Sequence, residues 1–124
     1  MPANTILLVD DDATTRSALA EFLTECGFHV VEAAHGGEAI LHVYLHRPAV
    51  VLLDLEMPVL DGVETAESLR ARAPSPEMRI LGITGCESGL QRRRLEAVCD
   101  DVLTKPCAPE LIVSRIRSLV DVAA

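Results

Sequence analysis

Residues 5–12, TILLVDDD, run five aliphatic or β-branched positions straight into three carboxylates. An apolar run this short and this rich in β-branching reads as a buried strand over 5–9 rather than a helix. The same pattern recurs along the chain. Residues 49–53 (AVVLL) stop at Asp54, 79–83 (RILGI) at Thr84, and 101–104 (DVLT) at Lys105 and Pro106, while 29–33 (HVVEA) supplies a fifth strand. Near-continuous apolar runs are the mark of parallel strands buried on both faces, and the carboxyl ends of such strands border one crevice. Asp10, Asp11, Asp54, Thr84, Lys105 and Pro106 therefore converge although they are far apart in sequence.

Between the strands lie helical patterns. Leu19, Phe22, Leu23 and Cys26 fall at i, i+3, i+4 and i+7, with Asp11 or Asp12 as N-cap and Gly27 as the stop. Ile112, Ile116 and Leu119 repeat the pattern after Pro109. Residues 37–46 and 62–72 make two more helices, the second opened by Asp61 and Gly62. The weakest pattern is 88–96, where Leu90 and Leu95 flank a QRRR run. Five β–α units predict an α/β fold: a three-layer α/β/α sandwich around a parallel sheet with right-handed crossovers. The loop-like stretch 71–77 (ARAPSPE) has the length of a helix-to-strand connection, so a single domain is expected over 1–124.

Composition narrows the function. With 49% hydrophobic residues, 124 residues suffice for one core and not for two. Aromatic residues make up only 2%, which leaves no stacking platform for bases. Acidic residues outnumber basic ones 19 to 11, for a net charge of −8, so direct nucleic-acid binding is not expected. Cys26, Cys86, Cys99 and Cys107 show no C-x-x-C spacing and read as reduced thiols. No apolar run has transmembrane length and the first strand begins almost at once, so a cytoplasmic protein with no membrane association is expected.

Singly, each crevice residue has an ordinary explanation: Asp10–Asp12 as helix caps, Asp54 and Thr84 as turn residues, Lys105 as a solvated cation. Jointly they do not. Packing the carboxylates of Asp10, Asp11 and Asp54 together costs on the order of 1–4 kcal/mol per close pair, and Lys105 offsets only part of that. Oxygen-only ligands call for a hard divalent cation, Mg2+ with Mn2+ as the alternative. Such a cation, flanked by an ammonium and a hydroxyl, suits a phosphoryl group, with a carboxylate as nucleophile.

The segments ILLVDDD, LLDLEMPVLDG, LGITG and LTKP, in this order and spacing, closely resemble the receiver domain of two-component response regulators over essentially the whole chain. The resemblance implies a flavodoxin-like (CheY-like) five-stranded sheet of order 2-1-3-4-5. It also implies transfer of a phosphoryl group from the phosphohistidine of a histidine kinase or histidine phosphotransfer protein. By position, Asp54 is the phosphoacceptor, and Asp10, Asp11, Asp54 and the backbone carbonyl of Glu56 hold Mg2+. Thr84 is the switch hydroxyl and Lys105 the phosphoryl-oxygen partner. Pro58 and Gly62 shape the loop after the acceptor, and Pro106 follows a cis bond. The output passes to a downstream effector protein or a fused domain.

The chain departs from the family where most receivers carry Tyr or Phe three residues before the lysine; here Val102 stands there, with one χ angle and no polar tip. The usual Gly-Ala pair is Val98-Cys99, and the usual Phe after Lys-Pro is Cys107. Glu56 and Cys86, two residues beyond the acceptor and the threonine, are expected to tune phosphoryl lifetime. The charges Arg93, Arg94, Glu96, Asp100, Asp101, Glu110, Arg115 and Arg117 resemble the face that winged-helix regulators use to dimerise on phosphorylation, pointing to a homodimer through residues 88–120.

Two rival readings stand beside this one. DDDAT at 10–14 fits the D-x-D-x-T opening of haloacid-dehalogenase-type phosphatases, with Asp10 as nucleophile and Asp12 as general acid. That reading leaves Asp54 and MPVLDG without a role. The other rival is a degenerate receiver serving only as a binding module.

Overall fold

The computed structural model of the chain describes residues 5–55, 62–73, 76–85 and 88–123. Strands and helices alternate: β1 (Thr5–Val9), α1 (Ala13–Glu25), β2 (His29–Ala33), α2 (Gly36–His46), β3 (Val50–Asp54), α3 (Gly62–Ala71), β4 (Arg79–Thr84), α4 (Gly89–Val98), β5 (Asp101–Thr104) and α5 (Pro109–Ala123). The sheet is wholly parallel in the order β2-β1-β3-β4-β5, as expected.

The alternation of side chains along each strand sorts the core into two layers. Leu7, Val9, Val51, Leu53 and Ile80 pack with Ala39, Val43, Val63, Ala66, Leu69 and Leu95 of α2, α3 and α4. Ile6, Leu8, Val50, Leu52, Leu81, Ile83 and Leu103 pack with Ala20 and Leu23 of α1 and Ile112, Val113 and Ile116 of α5. β1 and β3 are buried along nearly their full length because both faces are covered, whereas β2 is an edge strand with His29 and Glu32 exposed.

Asp12, not Asp11, caps α1: its carboxylate accepts from the backbone N–H of Thr14 and from the Thr15 hydroxyl. The weak pattern at 88–96 is a helix, but only half of its expected apolar pair enters the core. Leu95 is buried while Leu90 is 68% exposed, since α4 offers the sheet a single line of contact.

Candidate functional site

Val9 and Leu53 are register partners on adjacent strands, so the residues that follow them, Asp10 and Asp54, emerge side by side. Asp10, Asp11 and Asp54 each place a carboxylate oxygen within 4.8 Å of the others. Asp10 is the most enclosed of the three, at 8% exposure. Its backbone is pinned from both sides: its N–H donates to Ala33 O at 3.1 Å, and its carbonyl accepts from Arg16 Nη1 at 2.7 Å. Its Oδ1 accepts from the Asp12 N–H at 2.9 Å. Burial raises the Asp10 carboxyl above its ordinary 3.8; the Asp12 N–H opposes this, the Asp54 charge adds to it, Lys105 opposes it and Asp11 adds again.

Lys105 completes the cluster, its Nζ 3.0 Å from Asp54 Oδ1. The strand end is tied at the backbone as well, where the Lys105 N–H donates to Thr84 O at 2.7 Å. The Lys105–Pro106 peptide is cis. Three carboxylates against one ammonium leave a local charge of about −2, and all the acidic donors are oxygens. A hard cation of the Mg2+ class fits that set; zinc, which prefers nitrogen and sulfur, does not.

Below the cluster a cavity of about 810 Å³ opens between α1 and α5, lined by Asp10, Asp54 and Lys105 at one end and by Phe22, Cys107 and Ile112 further in. Thr84 is not among its lining residues. It is 2% exposed and in register with Thr104, while Asp54 is in register with Ile83. Paired residues of parallel strands point to the same face, so Asp54 lies on the α1/α5 side of the sheet. Thr84, Val102 and Thr104 lie on the α3/α4 side. The six convergent residues therefore share one sheet end but divide between its two faces.

Gly62 opens α3 hard against β3: a Cβ there would lie 2.7 Å from Leu55 O and 3.0 Å from Leu55 Cα. Only glycine admits this approach of the start of α3 to Leu55, the residue after β3. Glu56, Pro58 and Cys86 lie outside the described residues. Asp12, the general acid of the phosphatase reading, is engaged as the exposed α1 cap and is absent from the acidic cluster, which recruits Asp54 instead.

Much of the charged set at 88–120 is consumed within the chain. Arg115 Nη1 lies 2.8 Å from Asp101 Oδ2, and Arg92 Nε 3.3 Å from Glu96 Oε2. Asp100 accepts from Arg70 and from the Ile80 N–H. Arg117 lies over the Phe28 ring, 5.8 Å from its centroid, and donates to Cys26 O. Arg93, Arg94 and Glu110 remain exposed. Cys26, Cys99 and Cys107 are free thiols, and burial pushes Cys99 up to about 12.

One residue escaped the sequence reading. Arg92 on α4 donates to Thr104 Oγ1 at 2.7 Å and to Val102 O at 3.2 Å. Within QRRR it reads as solvated charge, but it stands three residues before Leu95, which places it on the same inward line of the helix.

The family model for the response regulator receiver domain matches residues 6–117. The chain is 39% identical over 116 residues to response regulator MprA of Mycobacterium sp. strain KMS, covering 93% of this chain and 50% of that protein. It is 37% identical over 116 residues to the probable transcriptional regulator ycf27 of Pyropia yezoensis, covering 93% and 46%. The chain thus spans about half the length of these relatives. Among solved structures it resembles the Vibrio cholerae chemotaxis protein CheY4, with a TM-score of 0.85 at 28% identity over 93% of this chain and 97% of that one. A CheY-like receiver domain protein from Methanospirillum hungatei JF-1 gives 0.87 at 26% identity over 97% and 95%. Among the described residues, no helix is long and apolar enough to cross a membrane.

Proposed function

We propose that this chain, which belongs to the response regulator receiver domain family, accepts a phosphoryl group on Asp54 from a phosphohistidine of a histidine kinase or histidine phosphotransfer protein. The observation that carries this reading is the cluster itself: three carboxylates within 4.8 Å of one another, with Lys105 Nζ 3.0 Å from Asp54.

The Asp54 carboxylate attacks phosphorus in line. The P–O bond forms as the P–N bond of the donor breaks, and the departing imidazole nitrogen keeps the electron pair and takes a proton. Asp10, Asp11 and Asp54, with the backbone carbonyl of Glu56, would hold Mg2+ or Mn2+, which when bound neutralises charge on the transferring oxygens. Lys105 already sits against the acceptor and turns from Asp54 toward the added phosphoryl oxygens. Thr84 starts on the opposite face, so its hydroxyl has to be drawn around the strand end to bond them. Pro58, Gly62 and Pro106 hold the surrounding backbone, and Glu56 and Cys86 tune how long the acyl phosphate lasts.

In this reading 1–124 form one receiver domain, a signalling module whose only chemistry is its own phosphorylation and dephosphorylation. It acts in the cytoplasm, where its donor is made, and passes its state to an effector protein or fused domain without touching nucleic acid or membrane itself. Phosphorylation-dependent pairing of two copies through residues 88–120 belongs to the same proposal and draws on the exposed Arg93, Arg94 and Glu110. Sedimentation with and without a phosphoryl mimic tests it, and a monomer in both states rejects it.

The direct test of the acceptor is incubation with acetyl phosphate, with Mg2+ or with EDTA, followed by mass spectrometry of reduced peptides. Label on Asp54 that requires Mg2+ is expected. Label on Asp10 would favour the phosphatase reading, and no label would leave a binding module.

A further inference from the structure

Val102 is buried against Leu55, Cys99 and Leu95 in a close-packed layer. It has no polar tip with which to report the state of the pocket. We infer that Arg92 takes this role: it is a positioning residue that couples the Thr84–Lys105 strand ends to helix α4 through Thr104. The inference rests on the receiver reading and names the residue through which that site signals.

The coupling consists of contacts already formed. The Arg92 guanidinium spans the Thr104 hydroxyl at 2.7 Å, the Val102 carbonyl at 3.2 Å and Glu96 at 3.3 Å. Its side chain is only 16% exposed, an unusual degree of enclosure for a cation outside a buried ion pair. Thr104 is the register partner of Thr84 on the same face, and the residue after it, Lys105, bonds Thr84 O through its backbone N–H. Displacement of Thr84 toward a phosphoryl group, or of Lys105 with it, thus acts on the strand segment that Arg92 grips.

Helix α4 is built to respond. Among its described residues Leu95 alone is buried. Few buried contacts put an element at the low end of local stability, where a polar tether weighs more in setting its position. The planar fork of arginine meets a hydroxyl and a carbonyl together; a lysine ammonium is a point donor on a flexible stem and cannot reproduce that pair of contacts.

The test is hydrogen exchange of α4 peptides with and without beryllofluoride and Mg2+, in wild type, R92A, R92K and T104V. Thr104→Val keeps the β-branched shape of a strand residue, so it removes the hydroxyl and not the fold. In wild type the mimic changes α4 exchange. In R92A the α4 amides exchange roughly tenfold faster before any mimic is added, the scale of one lost charged hydrogen bond. Beryllofluoride then produces little further change in R92A, R92K or T104V, while acetyl phosphate still labels Asp54 in all three. An α4 response in R92A and T104V equal to that of wild type overturns the inference. Failure of wild type to be labelled at Asp54 overturns the receiver reading instead, so the two failures are distinct.

Discussion

Replacing Asp54 by Asn should stabilise the metal-free protein, and the structure sets the scale. Unit charges 4.8 Å apart repel by about 3.5 kcal/mol at an effective dielectric of about 20 and by about 0.9 kcal/mol in bulk water. Asp10 and Asp54 are both largely enclosed, so their pair sits near the first value; Asp11 is exposed and sits near the second. Against this stands the Lys105 contact at 3.0 Å, but the lysine side chain is 42% exposed, and ion pairs of that kind contribute no more than about 1 kcal/mol. After relaxation of the exposed partners, the amide relieves on the order of 1–3 kcal/mol. For a domain of this size each kcal/mol moves Tm by roughly 4 °C, so D54N should melt roughly 4–12 °C above wild type in EDTA. Adding Mg2+ at about 100 times its Kd stabilises wild type by roughly 2.7 kcal/mol, and D54N, one ligand short, by less. The gap then narrows or reverses. Calorimetry of both proteins in EDTA and in Mg2+ decides it, and a mutant that melts below wild type in EDTA refutes the repulsion argument.

Three shorter predictions concern neighbouring parts. Gly62→Ala places a Cβ 2.7 Å from Leu55 O, and the forced backbone shift should cost about 1–3 kcal/mol in urea denaturation; an unchanged midpoint would mean the approach is not close in solution. Cys99, pushed up to about 12 from an ordinary 9.0 by burial, stays neutral in the fold while the unfolded chain ionises. Its contribution is therefore complete below pH 9.0 and lost as pH rises toward about 12, so wild type should lose stability across that window faster than Cys99→Ala. If the two curves run parallel, Cys99 is not the group that titrates. Glu56→Ala should change the rate at which labelled Asp54 loses its phosphoryl group, measured by phosphate release, and an equal rate removes Glu56 from the proposal.

What could be read from sequence, and what could not, divides along physical lines. β1 and β3 were legible because strands buried on both faces leave an uninterrupted apolar run, and each run gives way to a carboxylate of the acidic cluster. α4 was only half legible. In a short helix rich in arginine, Leu90 and Leu95 both look like core, and only the packed structure shows that the sheet accepts Leu95 alone. Arg92 was missed for the same reason, since nothing in QRRR marks which arginine turns inward. The strand ends place Thr84 at the same sheet end as Asp54 but do not give its face, because that depends on register: Asp54 pairs with Ile83, so the next residue along β4 points the other way.

That division between faces bears on how a signal leaves the pocket. Charge is gathered and balanced on the α1/α5 side, by Asp10, Asp54 and Lys105, whereas Thr84, the proposed switch hydroxyl, starts in the α3/α4 layer. The layer beside it is filled by side chains. At Gly82, in register with Val102, even a methyl group would lie 2.5 Å from Leu55 Cδ1 and 3.1 Å from Cys99 Sγ. In a close-packed interior, drawing Thr84 out leaves a void that neighbours must fill or a strain they must share, because such packing shifts between discrete arrangements rather than deforming smoothly. Leu55, Cys99 and Val102 share this packed layer, whereas Arg92 at the sheet edge is held by hydrogen bonds that can re-form in a new geometry. Under the coupling inferred above, the group that responds is Arg92 on Thr104, and with it α4, so transmission needs no aromatic side chain at position 102.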